Sequence, residues 1–324
     1  MKTKIVIVLF LLFFVNKYVI LPLAFPLEGC LVMFGYDDTI KKYDLESGKN
    51  WETIIDLKST LPKNSMVDLP YFQNEKIYFT VTLHSDKDKR NVEGLSLYEV
   101  LSDRSIKEVF FLPCQYKVES MNEKGYALRG VVVSSNGEEI LCIKQVVSKK
   151  DRKSMEYLHY NRKTNELKKI PDYFEQAKKM NISKAEANVN FYEVSAYYSA
   201  FNSYCYLFKS IDIAGKSKKN THSLGFYYED KFLLRDRNDI SMNTVYAYDI
   251  ETKEEIYVGK TREKIMRFIP NHDRKYAAVI ENIGLNEAGE LNIIWLNSVE
   301  FLRIRNIKYQ MPRHYKIFWL KEQI

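Results

Sequence analysis

Tyr43-Asp44-Leu45-Glu46-Ser47-Gly48-Lys49 returns as Tyr248-Asp249-Ile250-Glu251-Thr252-Lys253-Glu254, each time between two runs of alternating apolar residues. Alternation with a period of two marks a half-buried strand, and a short polar segment between two such runs marks a hairpin. The same hairpin used again and again predicts an array of small antiparallel sheets.

Working outward, two kinds of hairpin alternate. The first kind is a strand, a polar turn and a second apolar strand: LPYFQNEKIYFTVT (69–82), VVVSSNGEEILCIK (131–144), GFYYEDKFLLRDR (225–237) and RFIPNHDRKYAAVIE (267–281). Asn136-Gly137 is a turn dipeptide because both residues tolerate positive φ. The second kind carries the opening motif at Tyr43, Tyr98, Tyr160, Tyr248 and Trp295. One of each kind makes a four-stranded unit the size of a propeller blade. The long gap between Tyr160 and Tyr248 leaves room for one more, an irregular blade near residues 189–238. The sequence therefore predicts an all-β propeller of six four-stranded antiparallel blades, occupying residues 30–324.

The C-terminal run HYKIFWLKEQI (314–324) reads as the inner strand of a blade, and the apolar run CLVMFGY from Cys30 supplies only part of a sheet. Pairing the two closes the ring and removes exposed strand edges. Residues 171–188 break the pattern, and Pro171 followed by helix formers predicts a short helix. Lys58–Ser65 reads as a loop.

VVVSSNGEEILCIK and the following MEYLHYNRKTNELKK resemble the repeat of TolB-like and WD40-like propellers. In that repeat a Ser-Pro-Asp-Gly turn precedes an apolar strand and a Tyr-Asp-aliphatic strand. Ser135-Asn136-Gly137 matches the turn without its proline, and Pro270-Asn271-His272-Asp273 matches it loosely. The resemblance implies the propeller fold and no particular activity, since such folds host binding, scaffolding and catalysis alike.

The chain begins MKTKIVIVLFLLFFV and continues, after Asn16-Lys17, as YVILPLAF. Lys2 and Lys4 ahead of this apolar run predict a hydrophobic helix within residues 1–26, acting as a signal peptide or membrane anchor. Retained, residues 5–25 would hold the remainder on the non-cytoplasmic side, periplasmic or at the cell surface if bacterial. Leu27-Glu28-Gly29-Cys30 resembles a lipobox, with Glu28 where that motif wants an uncharged residue; Cys30 reads instead as a strand cysteine. Cys114, Cys142 and Cys205 show no metal-site spacing.

Chemistry is sparse. The net charge is +7 over 324 residues, and the clusters Lys149–Lys153 and Lys216–Lys219 fall in loops, so nucleic-acid binding is not expected. His84, His159, His222, His272 and His314 sit in separate hairpins beside charged turns, which argues against a metal site. The pairs Asp37-Asp38, Glu138-Glu139 and Glu254-Glu255 lie in turns, where adjacent side chains point apart and make poor acid–base couples. No nucleophile elbow and no phosphate-binding glycine loop occurs. The tyrosines at 197–198, 204, 206 and 227–228 could stack on a ligand at the channel mouth, or pack between blades.

No catalytic, cofactor or metal residue is named. The expectation is a non-enzymatic binding module for a protein or carbohydrate. The alternative is a lyase or hydrolase acting on polysaccharide or peptide at the central channel.

Overall fold

The computed structural model describes residues 27–35, 37–117, 126–146, 154–182, 187, 221–228, 231–236, 244–248, 252, 254–261, 264–271, 273, 275–282, 289–296, 302–311 and 316–321. These form five four-stranded antiparallel sheets. Sheet 1 has the order β20-β1-β2-β3, with β1 at Cys30–Phe34, β2 at Thr39–Asp44, β3 at Glu52–Asp56 and β20 at Lys316–Leu320. Sheet 2 is the meander β4 (Ser65–Gln73), β5 (Lys76–His84), β6 (Asn91–Val100) and β7 (Ile106–Lys117). Sheet 3 follows with β8 (Tyr126–Val133), β9 (Glu139–Val146), β10 (Ser154–Asn161) and β11 (Glu166–Ile170). Sheet 4 contains β12 (Thr221–Tyr228), β13 (Lys231–Asp236), β14 (Thr244–Tyr248) and β15 (Glu255–Lys260). Sheet 5 contains β16 (Lys264–Pro270), β17 (Tyr276–Asn282), β18 (Gly289–Trp295) and β19 (Leu302–Met311).

The first strand of one sheet approaches the next: β4 meets β8, β12 meets β16, and β16 meets β20. The arrangement is propeller-like, with these first strands facing inward. Strand alternation explains how each sheet serves two neighbours. On β1, Leu31 and Met33 enter one apolar cluster with sheet 5, while Cys30, Val32 and Phe34 enter another with sheet 2. On β5, Ile77, Phe79 and Val81 face sheet 1, and Tyr78 faces sheet 3. Strands buried on both faces read as near-continuous apolar runs, which is how these appear in the sequence.

The expected closure is present. β20 pairs antiparallel with β1 over Cys30↔Leu320 to Phe34↔Lys316. Gly29 adopts φ +85°, and a Cβ there would lie 2.0 Å from the Leu320 carbonyl oxygen, so the chain enters β1 pressed against β20. The stretch Lys58–Ser65 is a loop that opens with one helical turn, α1 (Leu57–Thr60), capped by Asp56.

The expected six blades are not found: the described residues form five sheets. Hairpin 225–237 is not part of an extra irregular unit. Its strands β12 and β13 form one sheet with the Tyr248 hairpin, through Phe232↔Tyr248 and Leu233↔Ala247. A helix, α2, at Tyr173–Lys179 and N-capped by Asp172, takes up part of the long interval between Tyr160 and Tyr248. Its Tyr173 hydroxyl donates to the Gly130 carbonyl at 2.8 Å. Residues 188–220 lie outside the described residues.

The expected N-terminal hydrophobic helix falls in residues 1–26, also outside the described residues. Among the described residues, no helix is long and apolar enough to cross a membrane.

Candidate functional site

The recurring motif proves to be turn and wedge chemistry. Asp44 Oδ1 accepts from the Ser47 N–H at 2.7 Å, and this bond holds the carboxyl below its usual range. Tyr43 packs on Trp51 with centroids 5.5 Å apart, Tyr98 stacks on Phe79 at 5.4 Å, and Tyr160 meets Phe110 at 5.0 Å. These rings fill the wedge toward the rim, where neighbouring sheets diverge. The Ser-Asn-Gly turn holds itself together: the Glu139 N–H donates to Ser134 Oγ at 2.9 Å, and Gly137 adopts φ +73°.

The inward-facing strands carry charges that sequence reasoning passed over. Asp68 on β4 and Arg129 on β8 form an ion pair at 3.1 Å, with side chains 3% and 0% exposed. The other carboxylate oxygen of Asp68 accepts from Thr82 Oγ1 on β5 at 3.1 Å. Each charge sits at a register shift, between Val67 and Pro70 on β4 and between Arg129 and Val132 on β8. A bulge re-aims a side chain that regular pleating would send to one face of its sheet. β12 and β16 are shifted against their partners in the same way, at Ser223/Tyr227 and Ile265/Arg267. The signal was available: SMVDLPY and YALRGVVV each place a charge in an apolar run just before a proline or a glycine.

Two further buried carboxylates act between strands. Glu99 accepts from Lys76 Nζ at 2.7 Å and from Arg162 Nη1 at 2.9 Å, joining sheets 2 and 3. Burial works against its charge, yet the hydrogen bonds from Lys76 and Arg162 prevail and its pKa is lowered. Arg162 also donates to the Tyr78 hydroxyl at 3.3 Å; burial, helped by Glu99, pushes that phenol up to about 12. In sheet 5, Glu281 is bonded by Asn292 and by Arg303 Nη2, the latter at 2.8 Å.

The sequence candidates do not converge among the described residues. His159 Nε2 lies 3.1 Å from Glu139 Oε1 at the sheet 3 turn, whereas His84 ends β5 on the opposite side. His222 lies on β12, and His272 and His314 fall outside the described residues. No three metal-ligating side chains come together among the described residues. Of the carboxylate pairs, Asp37 binds Lys41 and Asp38 lies 3.8 Å from Lys58 in a turn, whereas Glu138 (bound to Lys163) and Glu254 precede strands that Glu139 and Glu255 open. Tyr227 and Tyr228 end β12, and Tyr197, Tyr198, Tyr204 and Tyr206 lie outside the described residues. Cys30 is a fully buried strand residue. Cys142 is buried too, which pushes its thiol up to about 12, and Cys114 is half-buried on β7.

No known family model matches the sequence, and no curated protein matches it either. Among solved structures the chain is similar to TolB from Acinetobacter baumannii, at 12% identity and a TM-score of 0.34. The likeness covers 87% of this chain and 54% of that one, so the chain spans about half the length of that protein.

Proposed function

We propose that this chain is an exported or membrane-tethered β-propeller, with residues 1–26 as signal peptide or anchor and residues 30–324 as the propeller domain. It holds a protein or carbohydrate ligand on the non-cytoplasmic side without turning it over. The observation that carries this reading is the use made of the inward-facing charges. Asp68 has one oxygen taken by Arg129 and the other by Thr82, so the pair ties sheet 2 to sheet 3. Ties of this kind make a stiff frame, and a stiff frame presents its surface loops in fixed geometry, which suits binding.

The second reading, a lyase or hydrolase acting on polysaccharide or peptide, draws on the same pair. A carboxylate beside an arginine at a strand bulge is raw material for acid–base chemistry. Incubation of the purified protein with defined oligosaccharide and peptide sets separates the two. Under the binding reading, a ligand raises the melting temperature and is recovered with unchanged mass. Recovery of cleaved or unsaturated products, lost in Asp68→Asn, would establish the enzyme instead.

A further inference from the structure

The point at which the chain enters the fold restricts how the ring can sit on a membrane. The apolar run ends at Phe25, and Leu27 is already core, 6% exposed in the cluster shared by sheets 1 and 5. The leash between them is Pro26 alone, a span of about 7 Å when fully extended. Glu28 is fixed in turn, since its carbonyl accepts from Trp319 Nε1 at 3.1 Å.

Cross-sheet bonds show what shares a face with this entry point. The Lys321 N–H at the end of β20 donates to Glu75 in the β4–β5 turn at 3.1 Å. Asn74 of that turn donates to the Ser134 carbonyl beside the β8–β9 turn at 2.6 Å. Arg104 of the β6–β7 turn pairs with Glu52 at the start of β3 at 3.1 Å. One face of the ring therefore gathers the entry point and the hairpin turns of sheets 1, 2 and 3. The opposite face carries the β5–β6 loop, where Asp86 accepts from Asn64 of the β3–β4 connection. The nine residues of β5 separate the two faces by about 30 Å.

Given that residues 5–25 anchor the chain, as the reading above holds, we propose that the hairpin-turn face lies on the headgroup layer of the non-cytoplasmic leaflet. The β5–β6 face then points away and is the one open to a ligand. A leash of about 7 Å cannot reach round a ring about 30 Å deep. It spans little more than the headgroup zone itself, about 5–7 Å on each side of the hydrocarbon. Composition fits the placement. All three tryptophans belong to or pack against the cluster that holds Leu27, with Trp51 and Trp295 only partly buried. Indole rings prefer the membrane interface. Some acidic groups on this face carry a base, as in Glu138–Lys163 and Glu52–Arg104, which lessens their repulsion of anionic headgroups.

The test uses the full chain reconstituted in phosphatidylethanolamine–phosphatidylglycerol vesicles. A fluorophore is attached at Lys49→Cys on the hairpin-turn face or at Lys89→Cys on the β5–β6 loop, with the labelled parent as background. Both lysines are exposed. With nitroxide-headgroup lipid present, the label at Lys49→Cys is expected to lose most of its emission, and the label at Lys89→Cys none beyond the nitroxide-free control. Equal quenching, or quenching at Lys89→Cys alone, overturns the orientation. Flotation of the vesicles at alkaline pH tests the anchor separately. A protein left behind overturns the anchor and this proposal together; one that floats but quenches equally overturns the orientation only.

Discussion

The junction between sheets 2 and 3 and the seam inside sheet 1 solve the same problem with different forces. The first joins sheets that follow each other in the chain, and uses buried side-chain charge. Asp68–Arg129 and Glu99–Arg162 cross it, at sequence separations of 61 and 63. The second joins opposite ends of the chain and uses backbone: five ladder partners between β1 and β20, packed on both sides by apolar side chains. Its polar supplement ends on a main-chain carbonyl, with Trp319 Nε1 donating to Glu28, and main-chain atoms also carry the bonds from Lys321 to Glu75 of sheet 2 and from Arg305 of sheet 5 to Leu45. Two ion pairs are enough to set the spacing of two sheets that follow each other in the chain. Ends almost three hundred residues apart need many weak bonds made together.

Removing the seam is the harshest way to break this comparison. Truncation before Tyr315 deletes β20 and with it Ile317, Phe318, Trp319 and Leu320, all buried. At about 1.5–3 kcal/mol for each buried side chain, the loss rivals the roughly 5–15 kcal/mol that holds a typical domain together. The truncated chain should show no cooperative melt by circular dichroism. A melting temperature equal to that of the full chain would refute closure by β20.

Arg129→Leu should cost less, about 3–5 kcal/mol in urea denaturation, because Asp68 is left buried without its charge partner. The double variant Asp68→Leu/Arg129→Leu should recover much of that cost. If the two losses instead simply add, the pair does not tie the sheets.

Smallest is the effect of Glu99→Gln, about 1–3 kcal/mol at neutral pH from weakened charge-assisted hydrogen bonds. Its sign is set by the lowered pKa of Glu99. A depressed carboxylate stabilises the fold above its unfolded value, 4.5, and loses that contribution as pH falls through the folded one. The parent should therefore weaken on acidification below about pH 4.5 more steeply than Glu99→Gln. Identical acid limbs for the two proteins would remove Glu99 from the account.

Much of this fold is written locally. Ser134-Asn136-Gly137 and Asp44-Ser47 specify their turns through bonds within a few residues. The apolar runs around Phe79 on β5 and Leu141 on β9 need no distant partner to be recognised as strands. β20 was legible too, because IFWL has no polar face and must be covered on both sides. The sheet count was not legible. It depended on whether hairpin 225–237 belonged to a separate irregular blade or paired forward to the Tyr248 hairpin, as it does, and the local pattern reads the same either way. The Asp68–Arg129 pair was hidden for a related reason. Nothing in either strand indicates that two bulges, 61 residues apart, turn their charges toward one another.

The central place of β1 in sheet 1 also bears on how the molecule is made. Cys30 is among the first residues of the propeller to emerge in synthesis, and its partner Leu320 is among the last. Bringing such distant segments together carries a closure entropy of about 5 kcal/mol, repaid only when the whole ladder forms. Until then β1 shows an open edge, able to pair with any other extended chain nearby. Ring completion thus waits for β20, and until that strand arrives the edge of β1 must be kept from other extended chains.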